Sequence, residues 1–287
     1  MRAKATCLTL VLAAACGPGP RTDPGTVDAR PSSTIDAATG PTIDSELADF
    51  SLVYAHSGQE LYRIDTQTLA PVLIGPLTGL GAQSLTDLAV DRDDHMVGVT
   101  LDNLVSIDPA TGATTLIRDL GQDSNLTSLS FVPTDLDDPQ SPERLLAATD
   151  QGEVLEIDPA TGSLTVVGSY GSTAGGIIRS SGDLVAVRGF GIFATVTIGD
   201  TLTDPDYLAR IDPVTFRATP LGIGTTYVRI FGIGFWRGTL FGFVDRGNGT
   251  GGSFIELDPV TGASTLISDG AIRWFGAGVT TDAPIIE

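Results

Sequence analysis

At 287 residues, 41% of them hydrophobic and 18% charged, the chain is long enough for one large domain or two ordinary ones and can bury a sizeable core. Acidic residues outnumber basic ones by 35 to 16, a formal net charge of −19, which argues against a nucleic-acid partner because neutralising phosphate needs a basic stripe. The 35 glycines and 17 prolines are too dispersed for a wholly disordered chain and announce many turns instead.

Arg2 and Lys4, the only lysine, form a short basic start, and residues 8–15 follow as an apolar run too short to span a bilayer. The run ends in Leu12, three alanines and Cys16, followed by the sequence GPGP. This resembles a bacterial lipoprotein signal, in which the cysteine after small residues is acylated and becomes the new N-terminus. Ala13 departs from that pattern, which more often has leucine. The resemblance implies a signal peptide over residues 1–15, lipidation at Cys16 and attachment to a membrane through that lipid. With Gly17 rather than aspartate next, it implies the outer membrane of a two-membrane cell, on its periplasmic side or at the cell surface. An ordinary secretory signal cut near Ala15, with Cys16 incidental, is the alternative. Cys7 lies inside the signal, so the mature chain carries one cysteine and no disulfide. A domain of this size holds together without one. No later segment is long and apolar enough for a membrane helix.

Residues 16–48 form the next segment, rich in Pro, Gly, Thr, Ser, Ala and Asp. Such a stretch buries too little to offset its ordering entropy and is expected to be a disordered tether. The domain proper is expected over residues 49–287. Within it one pattern recurs five times: LYRID (61–65), LVSID (104–108), VLEID (154–158), LARID (208–212) and FIELD (254–258). The aspartates Asp65, Asp108, Asp158, Asp212 and Asp258 are 43, 50, 54 and 46 residues apart, a spacing typical of propeller blades. Three copies continue as Pro-x-Thr-Gly, ending at Gly112, Gly162 and Gly262; the fourth has Phe216 for glycine, and the first reads TQTL (66–69). The aspartate can accept turn N–H groups, proline presets φ, and glycine supplies a positive φ, so each copy reads as a tight hairpin between the two outer strands of a blade.

Inner strands align upstream of four repeats as DLAV (87–90), SLSF (128–131), AGGI (174–177) and GIGF (232–235). A fifth, GAGV (276–279), stands at the end of the chain with no hairpin after it, whereas the first hairpin has no inner strand before it. The two halves complete one blade, so the C-terminal strand is expected to close the ring beside residues 52–55 and leave no free edge at the seam. Small residues dominate alternate positions of these strands, as crowding at a five-fold axis requires; Asp87 alone breaks that rule. The expected architecture is therefore an all-β, single five-bladed propeller. The repeats resemble a broad group of bacterial β-propeller lipoproteins with Ile-Asp-Pro-x-Thr-Gly blades. The resemblance covers residues 50–287 and implies the fold while leaving function open, since the group holds binding proteins, enzymes and proteins of unknown role.

In such a ring the loops leading to the inner strands share one face with the second-to-third-strand loops, and that face is the usual ligand side. The first set brings Ser84, Asn125, Gly171, Arg229 and Arg273, with Tyr227, Phe231, Trp274 and Phe275 adjacent. The second set brings His56, Asp102, Asp150, Arg188, Arg246 and Asn248. Asp87, Asn125, Arg229, Arg273, Trp274 and Arg246 are the candidate ligand-binding residues. Arginines hold a carboxylate or phosphate, and rings stack a sugar. The alternative is that the arginines pair with loop acids such as Asp269 while the rings pack between blades. A long loop is expected over residues 189–206 and another over residues 247–252, both on the ligand face.

Two acidic runs, DRDD (91–94) and DLDD (135–138), offer spaced oxygens for calcium, but the glycine and terminal glutamate of a calcium loop are missing, and solvated turn acids account for them too. Only His56 and His95 exist, so a three-histidine zinc site is excluded, and no Gly-x-Ser-x-Gly elbow occurs. No catalytic residue or cofactor emerges. The reading is a monomeric, non-catalytic envelope lipoprotein that binds a small polar ligand, a glycan or a protein. The alternative is an extracellular hydrolase of a glycan or lactone, calcium-dependent, with Asp87 in the funnel beside Asp102 and Asp150. A purely structural platform would instead expose an apolar patch on the blade rims.

Overall fold

The computed structural model describes residues 53–121, 125–200, 203–247 and 249–285; the signal, Cys16, the tether and Asn248 lie outside them. The described residues form strands and turns arranged as five antiparallel sheets. The first blade holds β1 (Val53–His56), β2 (Glu60–Ile64) and β3 (Pro71–Pro76). The second holds β4 (Asp87–Val90), β5 (Met96–Val99), β6 (Asn103–Ile107) and β7 (Thr114–Asp119). The third is built from β8 (Leu126–Pro133), β9 (Glu143–Thr149), β10 (Glu153–Ile157) and β11 (Leu164–Ser169). The fourth comprises β12 (Ser172–Thr173), β13 (Gly176–Val187), β14 (Gly191–Ile198), β15 (Tyr207–Ile211) and β16 (Ala218–Pro220). The fifth has β17 (Ile230–Trp236), β18 (Thr239–Asp245), β19 (Gly252–Leu257) and β20 (Ser264–Gly270). The last strand, β21 (Gly276–Gly278), pairs with β1 through Tyr54↔Gly278, Ala55↔Ala277 and His56↔Gly276. The ring is thus a five-bladed propeller whose seam joins the chain's last strand to its first.

Each outer hairpin is held by its aspartate. Asp108 accepts the Ala110 N–H at 2.8 Å and the Thr111 hydroxyl at 2.9 Å, and its carbonyl takes the Gly112 N–H at 2.8 Å. Gly112, Gly162 and Gly262 have φ of 76°, 79° and 71°. Where glycine is missing the backbone adopts the same conformation: Leu69 has φ 57° and Phe216 φ 56°. That costs roughly 1 kcal/mol or more for a residue with a Cβ. Phe216 offsets it by burying its ring in the core beneath the Arg144 guanidinium.

Strands β21, β4, β8, β13 and β17 line the axis and touch in that cyclic order. Crowding there is severe. A Cβ on Gly232 would run into the backbone of Gly276 and Ala277, and one on Gly276 would run into Asp87 and His56. The fourth blade departs from expectation. AGGI (174–177) is not its inner strand; β13 carries Asp183 and Leu184 into the positions that Asp87 and Leu88 hold in β4, judged by the pairings Leu184↔Ala194 and Leu88↔Gly98. Residues 189–206 are not one long loop either, because the buried strand β14 takes up Gly191–Ile198. The cause is a register shift between Ser180 and Leu184, which lets a polar stretch that reads as a turn run on as strand. Small residues therefore do not rule every inner strand: Asp183 breaks the pattern as Asp87 does.

The chain beyond β21 crosses the ring on the face of the first-to-second-strand turns. The Thr280 hydroxyl donates to the Asp91 carbonyl at 2.8 Å, and Thr281 hydrogen-bonds Glu143 and accepts the Arg188 N–H through its carbonyl. Asp282 pairs with Arg188 at 2.8 Å, and the Pro284 carbonyl takes the Arg237 N–H at 3.1 Å. The tail so reaches turns of blades two, three, four and five.

Candidate functional site

The axis holds a pair of carboxyl groups. Asp87 and Asp183 are fully buried, at 0% exposure each. Asp87 accepts the N–H of Leu88 at 2.9 Å and, from the third blade, that of Leu129 at 2.7 Å. Asp183 accepts the Leu184 N–H at 2.5 Å and, from the fifth blade, the Ile233 N–H. It also lies close to the Ala277 N–H of the closing strand and to the Asp87 carboxyl. The two carboxyls thus cap inner-strand N–H groups of the second, third, fourth and fifth blades, donors that would be orphaned at a buried axis. Burial, and then the charge of Asp183, push the Asp87 carboxyl well above the usual carboxylate range; burial pushes Asp183 up as well.

Two further side chains face this pair. The His56 Nδ1–H donates to the Ser57 carbonyl at 2.7 Å, which leaves Nε2 as an acceptor without a partner, beside Asp87. Burial pushes this imidazole down to about 4, so it is neutral. The Tyr170 hydroxyl lies near Ser128 but makes no hydrogen bond, and burial raises its phenol. Asp206, buried in the fourth blade, accepts the Ile230 N–H at 2.7 Å and the Thr197 hydroxyl at 2.6 Å; burial pushes it up to about 6.

The exposed part of the loop face is different in kind. Arg273 donates from its guanidinium to both oxygens of Asp245, at 3.0 and 2.8 Å, a two-pronged pair. Burial pushes the Asp245 carboxyl up, but the bonds from Arg273 and the Gly247 N–H, with the charges of Arg273 and Arg229, hold it below the usual range. Arg246 reaches Asp269 at 3.5 Å and the Thr250 carbonyl at 2.5 Å. Arg273 also lies over the Phe275 ring at 5.4 Å, and Phe275 stands 6.3 Å from Phe231. Three guanidiniums, two carboxylates and two rings therefore share the fifth blade and the seam. Arg229 and Asn125 precede inner strands and both have a left-handed backbone, φ 58° and 51°, a strain that persists only where surroundings impose it.

Of the six candidate ligand residues, the structure groups Arg229, Arg246 and Arg273. Asn125 is exposed at the start of the third blade. Trp274 does not face the mouth: it is buried edge-on against Tyr62 and Phe243, because its ring fills the seam between the first and fifth blades. Asp87 is sealed at the axis rather than presented in a funnel. Arg188 lies on the opposite face, paired with Glu143 at 2.8 Å and Asp282, since the extra strand in the fourth blade reverses its direction. Asp183, Tyr170, Asp206 and Asp245 were not among the candidates. The equivalence of Asp183 to Asp87 was hidden by the register shift; Tyr170 and Asp206 sit in loops and Asp245 ends β18, all outside any motif.

Among the described residues one group has metal-ligand spacing, Asp91, Asp93 and His95, with ligand atoms within 4.8 Å of one another; Asp93 and His95 are exposed, and the half-buried Asp91 already bonds His95 at 2.9 Å. The second acidic run is engaged in its own turn, Asp135 taking the Asp137 N–H and Asp138 the Gln140 N–H. On the outer strands Val72, Leu73, Leu116, Val166 and Leu266 are exposed, and so are Val214, Ile223 and Val260 in turns.

No protein-family model matches the sequence, and no curated protein matches it. Solved structures that resemble it include a protein of unknown function from Bacteroides caccae, 11% identical, TM-score 0.46, over 80% of this chain and 98% of that one. A PQQ-bound aldose sugar dehydrogenase from Streptomyces coelicolor is 15% identical, TM-score 0.46, over 79% and 81%. TolB from Acinetobacter baumannii is 14% identical, TM-score 0.44, over 77% of this chain and 54% of that chain. At such identities the likeness concerns the fold alone.

Proposed function

We propose that the protein is a non-catalytic, monomeric envelope lipoprotein, tethered through Cys16 at the outer membrane, whose propeller binds a small polar ligand or glycan carrying an anionic group. One observation carries the reading. The carboxyls at the axis are sealed and committed to backbone N–H groups, while the exposed loop face carries the arginines 229, 246 and 273 beside Phe231 and Phe275, with Arg273 paired to Asp245 and Arg246 to Asp269, pairs that an incoming anion would have to displace. Guanidinium forks suit a carboxylate or phosphate, and rings suit a sugar face. A protein partner with an acidic, aromatic-binding epitope would use the same groups.

The test is a ligand and glycan screen on the mature protein by thermal shift, with and without calcium, since any ligand of the native state raises its melting temperature. Acidic saccharides should score, and the double variant Arg229→Ala/Arg273→Ala should lose the response. A retained response in that variant rejects the site. The hydrolase reading draws on the paired axial carboxyls. It requires an opening of the face above Asp87, and substrate turnover that Asp87→Asn abolishes would establish it.

A further inference from the structure

We propose that the five blades are latched at the axis by one proton shared between Asp87 and Asp183, so that losing this proton loosens the ring from its centre. The geometry comes first. The pair accepts N–H groups from four inner strands, those of Leu88, Leu129, Leu184 and Ile233, and lies close to the Ala277 N–H of the closing strand. Asp87 ties the second blade to the third, and Asp183 ties the fourth to the fifth. The hydrogen bond between the two carboxyls joins both halves of this hub, and it exists only while one of them carries a proton.

Among the described residues no cation acts on the pair in the proton's stead. The titratable groups facing it are His56 from β1 and Tyr170 from the loop before β12, both buried and neutral; Ser128 from β8 bears no charge, and Gly232 and Gly276 fill the remaining positions with backbone. Two carboxylates held this close in a dry site do not both ionise at low cost. Burial and mutual repulsion act in the same direction here. The sign follows. Carboxyls raised in the folded state stabilise it fully below the unfolded value near 3.8, and the contribution is lost as pH rises through the folded value. Asp206 behaves alike with a value of about 6 and has largely lost its proton by neutrality, so the latch is read above neutrality.

The experiment compares the full-length protein with Asp183→Asn and Asp87→Asn, whose amides keep an oxygen for the N–H groups and a donor for the partner carboxylate, but hold no labile proton. Folding equilibria are measured by denaturant melts from about pH 7 to about pH 9. The wild type should lose up to roughly tenfold in folding constant per pH unit, the slope of one proton, while the amide variants stay nearly flat. Parallel slopes in all three overturn the latch. Infrared difference spectra of the wild type against each variant give a reading that survives a variant's poor folding. A protonated-carboxyl band at neutral pH that both substitutions remove supports the proposal; its absence from the wild type overturns it.

Discussion

The aspartates of the outer hairpins and those of the axis do the same job under opposite conditions. Asp158 takes the Ala160 N–H at 2.8 Å in full solvent, and the donors of its turn, the Thr161 hydroxyl foremost, hold its carboxyl below the usual range; Asp65, Asp108, Asp212 and Asp258 are held down likewise by theirs. Asp87 and Asp183 take N–H groups at similar distances, yet burial drives both upward. Hydrogen bonds to a carboxylate favour its charge in either place. Desolvation and a second carboxyl outweigh them at the axis because the site is cut off from bulk solvent. The lesson is that the rim aspartates shape local turns, whereas the axial pair holds distant parts of the chain together.

The comparison can be broken most severely at the seam. Ending the chain at Phe275 removes β21, exposes the edge of β1 and deletes the tail that bonds Asp91, Glu143, Arg188 and Arg237. Cooperative unfolding should disappear, as read by calorimetry, and a stable truncated ring would refute closure by the last strand. Next comes Asp183→Ala, which orphans the Leu184 and Ile233 N–H groups; a loss of about 3 kcal/mol is expected from denaturant melts, at roughly 1–3 per buried unpaired group. Arg188→Ala should cost about 3 kcal/mol, because it strands the buried Glu143 carboxylate and frees the tail at Asp282. A Gly232→Ala change should cost about 1–3 kcal/mol through overpacking against Gly276.

The smallest effect belongs to the rim. Asp158→Asn should barely change stability at neutral pH and should flatten the acid limb of the melting curve. A carboxyl lowered in the folded state stabilises above the unfolded value near 3.8, and that gain fades as pH falls through the folded value. Melts between about pH 5 and about pH 2 would show it. Equal sensitivity of Asp158 and Asp183 variants would erase the distinction between rim and axis.

The blade count, the outer hairpins and the seam were legible because each rests on five or so consecutive residues whose turn chemistry acts locally: an aspartate acceptor, a proline, a threonine and a residue with positive φ. The repeat spacing then numbered the blades, and the unpaired halves at the two ends gave the closure. Even the missing glycines did not obscure the hairpins, although only the packed ring shows Phe216 repaying its backbone by burial. The candidate site was legible in part, since Arg229, Arg246 and Arg273 fall where loop position places them. Trp274 and Arg188 were misplaced because burial at a seam and the direction of a strand depend on neighbours far along the chain. The axis was decided by tertiary structure alone. Residues 87, 128, 183, 232 and 276 meet there from five separate segments, and no local pattern states that Asp183 completes Asp87. What a turn needs is written beside it, whereas what a dry axis needs is known only once five strands have converged on it.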